Sequence, residues 1–223
     1  MKFRWMNMML SLGLSATLLL SVAAMPAAAH AEKGHHTREH KACLSPKAVT
    51  LVQQLQKLWI EHALWTKNFV VSSLEGLADK DQQLARLLRN QQDIGNAIKP
   101  YYGEEAGNKL AKLLTEHIVT AGKVVGAMVS GNESDLQKYN KEWYANADEI
   151  AAFLSSLNPN WDQNQLKDML HMHLQLLTED VAAYHQKEWE KSIQLFDKNE
   201  DHLIQLANVL AEGILKQFPN QFK

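Results

Sequence analysis

The chain has 223 residues, 23 Lys+Arg against 25 Asp+Glu, and a formal net charge of −2. That balance offers no basic footprint for nucleic acid, and the single cysteine, Cys43, excludes an internal disulfide framework. The length suffices for one good-sized core without a staple.

Lys2 and Arg4 precede an uncharged run over 6–25 rich in Leu, Ala and Met, followed by Pro26 and the small-x-small site Ala29-His30-Ala31. This is the layout of a secretory signal peptide, so 1–31 is expected to be cleaved and the mature chain to start at Glu32. Its 192 residues lose Lys2 and Arg4, which leaves 21 basic against 25 acidic groups and a formal charge of −4. A retained membrane anchor is the rival reading of the same run, set against the Ala-rich cleavage site at its end. No later apolar run approaches spanning length. The expectation is therefore a secreted or envelope-associated protein without a stable membrane span. The polar stretch 32–44, with His35, His36 and His40, reads as a flexible tail, and 45–223 as a single domain.

Ser45-Pro46 supplies an N-cap and a first-turn proline, and an amphipathic pattern runs from there to Leu74. A break at Gly76 to Asp79 precedes a second helix over 80–98, ended by Pro100. Gly103 opens a third, to residue 129. Ser134 and Gln137 read as a capping box starting a fourth helix, closed by Asn158-Pro159-Asn160. Asp162 caps a fifth, to Tyr184, and a sixth spans 188–217 before Pro219. Sustained alternation and Asn-Gly or Asp-Gly turns are missing, so no sheet is expected. The fold class predicted is all-α, a six-helix bundle of three successive antiparallel hairpins.

The hairpins repeat one plan with a period of about 55 residues. His62, His117 and His173 each have apolar residues seven, four and three positions earlier: Leu55, Leu58, Trp59; Leu110, Leu113, Leu114; Leu166, Met169, Leu170. That places each histidine on the core-facing stripe. The returning helices align at Asn90, Asn146 and Asn199, with Asp93, Glu149 and His202 three residues further on. Counting from each turn at about 1.5 Å per residue puts each histidine at the height of its asparagine and polar neighbour. A polar layer midway up the bundle follows.

Buried polar groups must be satisfied, and three readings of the layer stand. It can be structural, His bonding to Asn or acid across each hairpin and fixing register. It can hold one transition-metal ion (Zn, Fe, Ni or Cu) with His62, His117, His173, Asp93, Glu149 and His202 as candidate ligands, although the Glu-x-x-His pairs of di-iron bundles are missing. Or it can orient a small organic ligand in a pocket lined by Trp59, Trp65, Phe69 and Trp143. Nucleotide loops, nucleophile elbows and His-Glu-x-x-His are absent from the sequence, which favours a binding or structural module over an enzyme, with a small ligand or cell-envelope component as partner. A metal-dependent enzyme using the same layer is the alternative.

The segments Leu58-Trp59-Ile60-Glu61-His62-Ala63-Leu64-Trp65-Thr66, Leu88-Arg89-Asn90 with Tyr101-Tyr102-Gly103, and Asn146-Ala147-Asp148-Glu149-Ile150 resemble a family of small exported helical proteins of Gram-positive bacteria with no established activity. Some members carry enzyme names such as acetylglutamate kinase or glycosyltransferase. Those enzymes are α/β proteins whose glycine-rich nucleotide sites this sequence lacks. The resemblance implies the helical fold and export, and no mechanism.

Overall fold

A computed structural model describes residues 44–223; the expected signal peptide, its cleavage site and the tail up to residue 43 lie outside them. Among the described residues all regular structure is helical: α1 (Pro46–Leu74), α2 (Lys80–Ser130), α3 (Glu133–Leu157), α4 (Gln163–His185), α5 (Trp189–Gln217) and a closing 3-10 turn (Pro219–Phe222).

The helix starts follow from side-chain capping. Ser45 Oγ accepts from the Ala48 N–H at 3.3 Å, and Pro46 occupies the first turn, where its missing N–H leaves no bond unmade. Asp162 Oδ1 accepts from the Gln165 N–H at 2.8 Å. At α3 the expected cap is corrected. Asn132, not Ser134, caps the helix, its Oδ1 accepting from the Asp135 N–H at 3.2 Å, so the helix begins one residue before Ser134. An Asx cap directly after the left-handed Gly131 (φ 66°) outcompetes the Ser-x-x-Gln box two residues later.

Five helical elements are present where six were expected. The predicted second and third helices are numbered together as α2, whose helical backbone passes through Pro100 and is interrupted at Gly103, at φ 86° and ψ 170°. That backbone region is closed to residues with a Cβ. The two arms on either side of the break lie against each other: Gln92 Nε2 donates to Thr115 Oγ1 at 3.3 Å, and Lys99 pairs with Glu104 at 2.8 Å. A Cβ on Gly95 would strike the Gly107 carbonyl and Ala111, so glycine permits the close approach.

α1 packs against α2 and α5, α3 against α2 and α4, and α4 against α5, enclosing a continuous core rich in Leu, Ile and Trp. At the end of the bundle where α2 breaks, the Trp161 indole donates to Leu210 O at 3.3 Å, tight against Gly213. Tyr102 there donates to Gln217 Oε1 and accepts from Asn158 Nδ2, both at 2.9 Å. No described helix is long and apolar enough to cross a membrane.

Candidate functional site

The stripe that carries Leu55, Leu58 and Trp59 inward on α1 carries His62 with them, and the same register buries His117 on α2 and His173 on α4; the three are 2–3 % exposed. Each meets the amide of a neighbouring arm. His117 Nδ1 donates to Asn146 Oδ1 at 2.7 Å, while Asn146 Nδ2 donates to Leu113 O at 3.2 Å. The carbonyl can only accept, so it turns the Asn146 oxygen toward the ring. The proton of His117 is thereby placed on Nδ1. His173 Nδ1 donates to Asn199 Oδ1 at 2.8 Å.

The first set is built differently. Asn90 Nδ2 donates to Leu58 O at 3.0 Å, the counterpart of the Asn146 bond, but the group nearest the His62 ring is Gln91, whose Nε2 lies 3.3 Å from Nδ1. Gln91 Nε2 is itself fixed by donating to Leu87 O at 2.8 Å, with Asn90 Oδ1 at 3.2 Å. The two hydrogens of that amide are shared among Leu87 O, Asn90 Oδ1 and the ring, and Asn90 also bonds the ring, so two amides of the neighbouring arm hold His62 in place.

The residues three beyond each asparagine separate. His202 Nε2 donates to Met169 O at 2.7 Å, the carbonyl four before His173, and so does in the third set what Asn90 and Asn146 do in the first two. Asp93 and Glu149 do not join the layer, contrary to expectation. Asp93 is 42 % exposed at its side chain and stands 4.0 Å from Arg86, and Glu149 is exposed on α3. Three residues along a helix is a rotation of about 300°, enough to put a short acid on the flank while the longer imidazole reaches inward.

The layer converges. His62 and His173 have ring centroids 5.5 Å apart, and all three imidazoles line one cavity with Thr66, Phe69 and Trp143. The cavity offers about 20 Å³ to the centre of a water-sized sphere, room for about one water. An organic ligand does not fit. Trp59 lines a second cavity instead, and Trp65 lies under the Arg86 guanidinium at 4.9 Å. The six candidate metal ligands are not assembled: among the described residues no group of three or more His, Cys, Asp or Glu is placed to hold an ion.

Burial holds the rings neutral. Desolvation, with the proximity of His173, pushes His117 down to about 3; desolvation brings His173 to about 4 against the opposing bond from Asn199. Desolvation together with the nearby His173 and His117 sets His62 well below the usual histidine value.

A second buried polar cluster was not foreseen. Lys67 Nζ donates to Asp180 Oδ1 and Oδ2 at 2.6 and 2.9 Å and to Ser192 Oγ at 2.8 Å; Ser192 Oγ donates to Asp180 Oδ1 at 2.6 Å. The cluster ties α1, α4 and α5 together. Its signal was readable, since Asp180 follows His173 by seven residues and Ser192 precedes Asn199 by seven, on the same stripes two turns away. With Ser192 2 % exposed and Lys67 committed to a carboxylate, the set has neither an accessible hydroxyl nor a free base. On the surface, Asp148 bonds His171 at 2.7 Å and Lys167 at 2.8 Å, joining α3 to α4.

The chain matches no family model, no curated protein and no solved structure.

Proposed function

We propose that this protein is an exported, non-catalytic helical module, a structural or binding component of the cell envelope, built as three hairpin copies and akin to the exported Gram-positive family it resembles. Its His/Asn layer fixes the register of the arms. The observation that supports this reading is the pairing itself: each imidazole is sealed from solvent and bonded through Nδ1 to an amide of a neighbouring arm. The cavity that the rings line is of water size. Groups arranged in this way hold helices to one another and leave no room for a substrate. Export is supported by the Lys2/Arg4 leader and the Ala29-His30-Ala31 site.

A double-mutant cycle tests the layer. His117→Leu and Asn146→Leu are each expected to destabilise, and the pair together to cost less than their sum, with a coupling of about 1 kcal/mol or more. The doubly apolar variant is expected to keep its helicity and lose sharp amide resonances as register loosens. Strict additivity with unchanged spectra would remove the register role. Recovery of a mature chain starting at Glu32 from outside the cytoplasm tests export.

A further inference from the structure

The chain crosses from the first hairpin copy to the rest of the molecule once, at Gly103. Helical backbone runs through Pro100 up to that residue and resumes after it, and Gly103 alone departs, at φ 86° and ψ 170°. That torsion pair is open to glycine and to almost no other residue. A Cβ built there would meet no atom within 4 Å. The reversal between the two arms of α2 therefore rests on the backbone freedom of one residue and not on packing around it.

What holds the first hairpin in place is contact across that link. Gly95 lies against Gly107 and Ala111, Gln92 Nε2 donates to Thr115 Oγ1 at 3.3 Å, and Gln56 Nε2 donates to Asn208 Oδ1 at 2.8 Å. Lys67 reaches Asp180 and Ser192, and the His62 ring stands 5.5 Å from that of His173. None of these contacts requires both partners to belong to one chain.

We propose that this protein pairs with a second copy of itself by exchanging residues 45–102, with Gly103 as the hinge. With Gly103 at helical torsions, α2 becomes one rod of 51 residues, about 75 Å long at about 1.5 Å per residue. The first hairpin of each copy then lies on the second and third hairpins of the other, and the two rods run antiparallel. Pro100 already sits in helical backbone in the closed form, so the longer helix adds no new proline cost. Every contact named above is remade between copies. The polar layer is completed by His62 of one chain beside His117 and His173 of the other. Exchange of identical elements is a low-cost route to a dimer for this reason. The pairing goes beyond the register role, which the closed and the exchanged forms both satisfy.

The test uses the full mature chain carrying Cys43→Ser, Gln92→Cys and Thr115→Cys, so that a short bis-maleimide can link positions 92 and 115. In the closed form these positions lie opposite each other in one chain. On a continuous α2 they stand about 35 Å apart, and only a second copy brings them together. Gly103→Ala in this background is expected to double the mass in solution and keep the helical signal. It is also expected to move the link from within one chain to between two on a denaturing gel. Inserting two glycines after position 103 of that variant is expected to restore the monomer and the internal link, because a longer hinge turns back without glycine-only torsions at one residue. Should Gly103→Ala fail to fold, the parent chain refolded at high concentration decides. Links between chains would support the exchange, and links confined to single chains at every concentration would overturn it. A Gly103→Ala chain that folds as a monomer would also overturn the proposal, as would a dimer whose links stay within each chain.

Discussion

The core has two halves that differ in chemistry and match in size of cavity. Toward the Trp161 end, the space among Ile150, Leu166, Leu206 and Ile214 is lined by Leu, Ile and Trp; toward the opposite end, an equal space is lined by three imidazoles and two threonines among aliphatic and aromatic side chains. The apolar half contributes burial, which has no direction and tolerates sliding of one helix on another. The polar half adds little area, but each of its bonds has one geometry and is lost if an arm shifts by a residue. Stability and uniqueness of the fold are in this sense carried by different layers of one core.

Acid separates the halves most strongly. The three rings titrate well below an unfolded histidine near 6.5, so the unfolded chain binds more protons than the native one as pH falls below that value. Stability is full above about pH 6.5 and is lost progressively down toward the folded values of about 4 for His173 and about 3 for His117. At pH 4.5 His117 and His173 are each expected to cost about 2–3 kcal/mol, at about 1.4 kcal/mol per pKa unit, and His62 adds to the loss in the same direction. Denaturant midpoints measured from pH 8 to pH 4.5 check this, and a flat profile would mean that the rings are not neutral or not buried. Replacing His117 and Asn146 by Leu together should flatten part of the same profile.

In the apolar half, Leu166→Ala should cost about 2–5 kcal/mol in urea unfolding, because Leu166 has no exposed surface and already borders a cavity. A cost below ~1 kcal/mol would show that this half collapses around a deletion. Asn146→Ala in the polar half removes both the ring's acceptor and the Leu113 bond, with an expected loss of about 1–3 kcal/mol. The smallest effects are expected outside both halves. Asp93→Asn and Glu149→Gln should each change stability by within about 0.5 kcal/mol, and a larger loss from either would return the acids to the layer.

Much of this comparison was legible before any coordinates. Ser45, Asp162 and Pro219 marked helix ends because capping and proline chemistry act over three or four residues. The repeat of His62, His117 and His173 on apolar stripes gave their inward direction, since a helix wheel needs only local periodicity. Asp93 and Glu149 were misplaced because the same wheel cannot say whether a side chain three residues off the stripe turns in or out. Reach and competition decided it: Arg86 stands beside Asp93 on the surface, while the Met169 carbonyl drew His202 inward. Gln91 was missed at His62 because it stands one position from the repeating asparagine, a neighbour no periodic pattern selects.

The sequence by itself determined which segments are helical, where α1 and α4 start, and which stripe of each is buried, all of it through interactions spanning a few residues of one chain segment. The tertiary structure decided that the two arms of α2 pack closely with Gly95 against Gly107, that Lys67, Asp180 and Ser192 meet, and which nitrogen of His117 and of His173 carries the proton. Those outcomes depend on what an arm far away in sequence places opposite each side chain, and periodicity along one helix carries no information about its neighbour.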